Sequence, residues 1–301
     1  MRIAFNYNLN FGTTRRTLYK NTETKQEYHK PYYTPYEDYV SFKKGTNPNF
    51  AIVKIKNSNA TQFFRADMPY TKDSDYSGFA RFLNKHFSEG KVNIYDFACS
   101  DGSEAYSIAI SLIEEMGEEE AQRFFPIQAI DKDKYIIKEA ANGIIECDTV
   151  DMRNIIANTH DKFDKYFEVL EQNGENYLLK VKEPLKNAVN FKIGKIENKL
   201  DDVKGSNNVV LCRNMWPYLS KESMFKAVLK LSNLDKNSLV VIGNYDRDHE
   251  MPSLLPRAFQ LIGLKELDNN MLIKDESFEK RFANRNDYIM TLFNSCNYTS
   301  D

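Results

Sequence analysis

Residues 92–117, VNIYDFACSDGSEAYSIAISLIEEMG, carry the pattern that decides the fold. Val92 to Ala98 is a short apolar run of strand length. A stretch of small residues around one glycine follows, Cys99-Ser100-Asp101-Gly102-Ser103-Glu104. Beyond it Ile108, Ile110, Leu112 and Ile113 recur as the inner face of a helix that ends near Gly117. Strand, tight loop, helix is the repeating unit of a doubly wound α/β sheet, and the chain uses it again. PIQAID (126–131), AVNFKIG (188–194), VVLC (209–212) and SLVVIG (238–243) read as further strands. SGFARFLNKHF (77–87), KYIIKEAANGII (134–145) and KESMFKAVLKLSNL (221–234) read as helices with one apolar face. Strands apolar on both sides, alternating with helices, predict a mostly parallel sheet covered on both faces. FQLIGLKEL (259–267) and NDYIMTLFN (286–294) read as strands closing one edge.

The alternation breaks at 146–187. There KYFEVLEQNGENYLLKVKE (165–183) sets two alternating runs around Asn173-Gly174, a hairpin signal. This predicts a small β-hairpin insertion after the second strand. Such a hairpin serves as structure, or offers its open edge to a peptide. Residues 1–56 differ from the rest. They hold seven of the 18 tyrosines and ten Lys/Arg against four Asp/Glu. Pro31 and Pro35 interrupt them. No RNA-binding motif accompanies the charge, so the stretch reads as a basic, tyrosine-rich arm packing on the main domain rather than an RNA surface. The organisation expected is an arm, 1–56, and one domain, 57–301.

Composition narrows the function classes. Of the 301 residues, 42% are hydrophobic and 28% charged, which suits a globular chain. Apolar runs reach about six residues, against the roughly 20 that a bilayer span needs, so no membrane insertion is expected. MRIAFNYNLNFG (1–12) lacks the layout of a secretory signal. A net charge of -2 argues against nucleic acid as partner. Cys99, Cys147, Cys212 and Cys296 are scattered and read as reduced thiols of a cytoplasmic protein. His29, His86, His160 and His249 are isolated, and no metal site is expected.

In a doubly wound sheet the ligand sits beyond the carboxyl ends of the strands. Three groups fall there. In ACSDGSEAYS (98–107), small residues such as Ser100 let backbone N–H groups approach a ligand. Gly102 permits a turn that other residues would strain. Glu104, at the helix start, is placed to meet a cationic group. Asp131 ends the second strand, where a carboxylate accepts hydrogen bonds from ribose hydroxyls. Cys212-Arg213-Asn214 ends the fourth strand and leads into Met215-Trp216-Pro217-Tyr218. The first loop lacks GxGxxG, and the interval from Gly102 to Asp131 exceeds the twenty or so residues usual for a dinucleotide site. One glycine does not make a pyrophosphate cradle. A nucleoside ligand without phosphates fits better than NAD, and S-adenosylmethionine (SAM) is such a ligand.

Four stretches together resemble the CheR-type chemotaxis receptor methyltransferases. NATQFFR (59–65) resembles that family's N-x-T-x-F-F-R motif, and CSDGSEAYS (99–107) its CSTGEEPYS loop. AIDKD (129–133) resembles its A-x-D-x-D strand end, and CRNMWPYL (212–219) its CRNVxIYF segment. The hairpin insertion also matches the family layout. The resemblance implies a Rossmann-like, class I SAM-dependent methyltransferase domain. It implies that Asn59, Thr61 and Arg65 line the methionine side of the cofactor. Glu104 is then expected at its charged amino-acid end and Asp131 at its ribose. Arg213 and Asn214 are expected beside it, and Tyr218 near the methyl group.

The acceptor implied is a glutamate carboxylate of a protein, a chemoreceptor or another signalling protein. Such a group is already ionised and needs no general base. Catalysis then rests on orientation, with Arg65 holding the acceptor carboxylate and Tyr218 donating a hydrogen bond to it. Some positions depart from the family. Asp101 and Ser103 replace Thr and the first Glu, and Ala105 replaces Pro. Lys195-Ile196 stands where Asn-Leu is usual, and Met215, Trp216 and Pro217 replace small aliphatics. Residues 1–56 do not resemble the family's N-terminal helical domain. The cofactor side thus reads as kept and the acceptor side as altered. A different methyl acceptor, and a catalytically silent SAM-binding or scaffolding module, are the alternative readings.

Overall fold

The computed structural model describes residues 62–70, 76–248, 254–268, 270–275 and 285–295. The 1–56 arm, Asn59, Thr61 and Cys296 lie outside them. In chain order the main elements are α1 (Ser77–His86), β1 (Asn93–Phe97), α2 (Ser103–Met116), β2 (Ile127–Asp131), α3 (Lys134–Asn142), β3 (Ile144–Cys147), α4 (Thr149–Asn158), β4 (Phe167–Asn173), β5 (Asn176–Val181), β6 (Val189–Ile193), β7 (Asn208–Leu211), α5 (Lys221–Leu231), β8 (Leu239–Val241), α6 (Leu254–Leu261), β9 (Leu264–Asp268), β10 (Met271–Lys274) and α7 (Arg285–Ser295).

Seven strands form one sheet in the order β6-β2-β1-β7-β8-β10-β9. The first five are parallel; β10 runs antiparallel to both β8 and β9. The chain steps outward from β1 to β2 and β6, then returns to β7 on the other side of β1. The β1/β7 boundary is therefore the topological switch point, where such sheets bind ligands. The alternating side chains of each central strand feed two cores. Val209 and Leu211, Leu239 and Val241 join the core with α1 and α2. Val210 and Cys212, Val240 and Ile242 join the core with α5, α6 and α7. Burial on both faces is why these strands read as unbroken apolar runs.

The NDYIMTLFN segment is the helix α7, not the edge strand expected. Ile289 and Phe293 lie one helical turn apart and are both buried, with the Phe293 ring 6.0 Å from that of Phe225 on α5. An i, i+4 apolar pair with a helix to cover outweighed the β-prone composition. FQLIGLKEL is also divided: its first residues end α6, Gly263 breaks the helix with φ 78°, and β9 starts at Leu264. The strand β10, which lies between β8 and the edge strand β9, was not anticipated.

The insertion is a separate three-stranded sheet, β3-β5-β4; its hairpin turns at Gly174-Glu175, between the paired Asn173 and Asn176, one residue beyond the Asn173-Gly174 expected. Its helix α4 begins with a capping box, Asp148 accepting from the backbone N–H of Asp151 and the Asp151 side chain from that of Asp148. Among the described residues no helix is long and apolar enough to cross a membrane.

Candidate functional site

The loop between β1 and α2 is wound tightly. Ala98, Ser100 and Gly102 have φ of 60°, 50° and 86°. Left-handed backbone at every second residue turns successive N–H groups toward one concave side, a shape that receives polar or anionic groups. Only the glycine is at ease there, so Ala98 and Ser100 carry strain of the kind that collects at functional sites. Gly102 is also required by space. A Cβ on it would lie 2.7 Å from the Phe191 ring. The loop is fastened to the next strand end: Ser100 N–H donates to Asp131 Oδ2 at 3.1 Å, and Asp133 N–H to Oδ1 at 2.9 Å. Burial nevertheless raises the Asp131 carboxyl above its ordinary value. Ser100, Gly102 and Asp131 thus form one side of the site.

A charged cluster forms the other side. The Arg213 side chain is 1% exposed and bridges Glu104 on α2 and Asp67 in the segment after Phe64. Asn214 Nδ2 donates to Asp67 Oδ2 at 3.1 Å, and Asn244 N–H to the same oxygen at 3.3 Å. Arg65 Nε lies 3.2 Å from Asp67 Oδ1 and keeps part of its guanidinium in solvent. Burial acts to raise Asp67, but Arg213, Arg65 and the bonds from Asn214 and Asn244 bring it below the usual carboxylate range. Asp246 holds the floor, accepting from the backbone N–H groups of Asn214 (2.6 Å), Trp216 (3.1 Å) and Gly243 (2.8 Å).

The FFR segment reaches this cluster because two elements grip it. Phe63 N–H donates to Asp151 Oδ1 at 2.9 Å, and Asn154 Nδ2 donates to Phe63 O at 3.0 Å. Phe64 N–H donates to Ser107 Oγ at 3.0 Å. Helix α4 of the insertion therefore sets where Arg65 emerges. Asp151→Ala is expected to cost about 1–3 kcal/mol, the penalty for orphaning a buried donor. A fall in the urea midpoint with an unchanged slope would register it.

Arg65, Glu104, Arg213 and Asn214 are thus brought together, and Ser100, Gly102 and Asp131 adjoin them through the shared loop. Arg213, expected beside the cofactor, is buried and lies between Glu104 and Asp67. Tyr218 is half exposed, its ring stacked on Tyr245 at 5.8 Å and 17°. Met215 and Trp216 point into the core, Trp216 edge-on to Phe259 at 5.4 Å. Those two departures are packing changes and do not alter an acceptor surface. Asp67, Asp151, Asp246 and Asp96 were not singled out from sequence. Asp96 alone left a signal, an acid inside the apolar run VNIYDFA. A cleft lined by Leu200, Val203, Lys204, Lys230 and Leu234 lies at the opposite end of the sheet, where β7 begins, and holds none of these residues.

The model of the CheR methyltransferase SAM-binding domain matches residues 59–263, more than half of the chain. Chemotaxis protein methyltransferase 2 of Vibrio cholerae is 26% identical over 227 residues, covering 75% of this chain and 73% of that protein. The chemotaxis protein methyltransferase of Escherichia coli is 24% identical over 214 residues, covering 71% and 68%. That of Listeria innocua is 25% identical over 264 residues, covering 86% and 90%. With the switch-point loop, the acidic end of β2 and the pinned FFR segment in place, the chain belongs to the CheR methyltransferase family and is a SAM-dependent methyltransferase.

Proposed function

We propose that this protein methylates a side-chain carboxylate, a glutamate, on a protein partner in the cytoplasm. One observation carries the reading. Arg65, a partly exposed cation, pairs with Asp67, which Arg213 and Asn214 in turn hold at the carboxyl end of β7.

The residues present fit the cofactor. The tight loop through Gly102 is flanked by two carboxylates, Glu104 and Asp131, acceptors suited to an ammonium and to hydroxyls rather than to a pyrophosphate. Glu104 would hold the cofactor's ammonium and Asp131 its ribose hydroxyls, with Ser100 and Gly102 contributing backbone. Asn59 and Thr61, outside the described residues, would complete the methionine side with Arg65, and Asn214 would lie alongside. Arg213 supports Glu104 from below.

SAM, when bound, supplies a methyl group already activated by its positively charged sulfur. The chain's task is to place the acceptor. Arg65 orients the acceptor carboxylate by charge and hydrogen bonding. Tyr218 donates its phenol O–H to the same group and keeps it in line. No general base is needed, because the acceptor is ionised at neutral pH. Arg65→Ala is expected to lower kcat on the order of 100-fold, and Tyr218→Phe about tenfold. SAM affinity should change far less. A loss confined to affinity would remove both residues from these roles.

The reading as a whole is tested in two steps. SAM and its demethylated product should each raise thermal stability, as any ligand of the folded state must. Methyl transfer from labelled SAM to lysate protein should then give a base-labile label, the mark of carboxyl esters. A base-stable label would assign a different acceptor, and no transfer at all would leave a silent SAM-binding module.

A further inference from the structure

Asp96 lies mid-sheet on β1, in register with Ala129 of β2 and Leu211 of β7, and is 1% exposed. Among the described residues its Oδ2 has no hydrogen-bond donor. An ionised carboxylate left so would be costly. The side chain that meets it is Glu104, also a carboxyl. Two touching carboxylates cannot both ionise, and one proton between them replaces the repulsion with a strong O–H···O bond.

The surroundings decide which carboxyl keeps the proton. Burial raises the Glu104 carboxyl too, but Glu104 is in direct contact with Arg213 and also feels Arg65, with Asp67 opposing. Asp96 feels burial first and then the negative charge of Glu104; Arg213 opposes these, Asp131 adds to them, and the net effect holds its carboxyl well above the ordinary value. The neighbouring Cys99 thiol and Tyr76 phenol are both pushed up by burial and stay neutral. The Arg213 contact thus favours an ionised Glu104 and leaves the proton to Asp96.

We propose that Asp96 is a positioning residue whose protonated carboxyl donates to Glu104, keeping that carboxylate ionised and aimed at the cofactor ammonium. This rests on the reading of Glu104 as the ammonium's partner. It makes cofactor affinity fall at high pH, where the proton is lost and two carboxylates repel. Stability follows the same sign. The folded protein retains a proton that the unfolded chain releases near an ordinary aspartate value of about 3.9, so stability declines as pH rises from there through the raised folded value.

Infrared spectroscopy of the wild-type protein at neutral pH should show a protonated-carboxyl C=O band that shifts on carbon-13 labelling of aspartate. The band should vanish in Asp96→Asn. Calorimetric SAM affinity should fall about tenfold across the alkaline range in the wild type. In Asp96→Asn, whose amide donates to Glu104 at every pH, affinity should fall only as the cofactor's own ammonium loses its proton, a shallower profile than that of the wild type. Absence of the band, or an Asp96→Asn protein with the wild-type pH profile, overturns the proposal. The labelled band stands even if Asp96→Asn folds poorly. Glu104→Gln should bind SAM at least about tenfold more weakly at all pH. If it binds normally while the band is present, the shared proton is real but the ammonium reading and the positioning role both fail.

Discussion

Arg213→Met should lower stability by about 3–5 kcal/mol and abolish measurable SAM binding, the cost expected when one partner of a buried ion cluster is removed. Methionine fills the volume but brings no charge. Asp67, Glu104 and Asp96 would then face one another with Arg65 as the nearest remaining cation. Pairing does not make such a cluster strongly stabilising in itself; the cost comes from what is left unpaired. The pH dependence gives the result its signature. Asp67 has a lowered folded value, so its contribution is present above the ordinary aspartate range and is lost as pH falls through the lowered value. Without Arg213 that contribution disappears, and the freed carboxyls take up protons instead. The deficit of Arg213→Met should therefore be largest near neutrality and shrink in acid. Urea denaturation of both proteins across that range measures it. A deficit independent of pH would mean that lost packing, not charge, dominates. Arg213→Lys should fall between the two, because one ammonium cannot span Glu104 and Asp67 as a planar guanidinium does.

The second large effect is expected at Gly243. A Cβ there would lie 2.1 Å from Asn214 Oδ1, 2.4 Å from Cγ and 2.6 Å from Nδ2. No rotation about the new bond relieves this, so the Asn214 amide must move. That amide holds two things: Asp67 through Nδ2 and the Tyr245 N–H through Oδ1 at 3.2 Å. Gly243→Ala should cost about 2–4 kcal/mol, an overpacking penalty plus orphaned polar groups. It should also loosen the Tyr218–Tyr245 stack, since Tyr245 N–H loses its acceptor. A double-mutant cycle isolates the cause. Once Asn214→Ala has made room, adding Gly243→Ala should cost little more, a strongly non-additive result. Full additivity in thermal denaturation would show that the clash is not with Asn214.

Much of the molecule was legible in its sequence because the deciding interactions are local. Strands with two buried faces read as apolar runs, helices as apolar stripes, and Asn173-Gly174 as a hairpin signal. The candidate residues at strand ends followed from the same logic, since a doubly wound sheet presents all its parallel strand ends on one side. NDYIMTLFN failed because Ile289 and Phe293 fit both a strand-like composition and one helical turn. Only the covering surface of α5 and α6 chose between them.

What the sequence could not supply was which charges meet. Asp67 and Arg213 are 146 residues apart, and Glu104 and Arg213 are 109 apart. Only folding brings the FFR segment, the β1 loop and the end of β7 together. The same step made Arg213 the buried counter-charge of Glu104 and Asp67. It also set Asp96 against Glu104. Sequence by itself determined the sheet, the loop and the chemical types at the strand ends, because backbone propensity and hydrophobic period act over a few residues. Tertiary structure alone decided which carboxyl is charged, because that depends on burial and on cations contributed by distant parts of the chain.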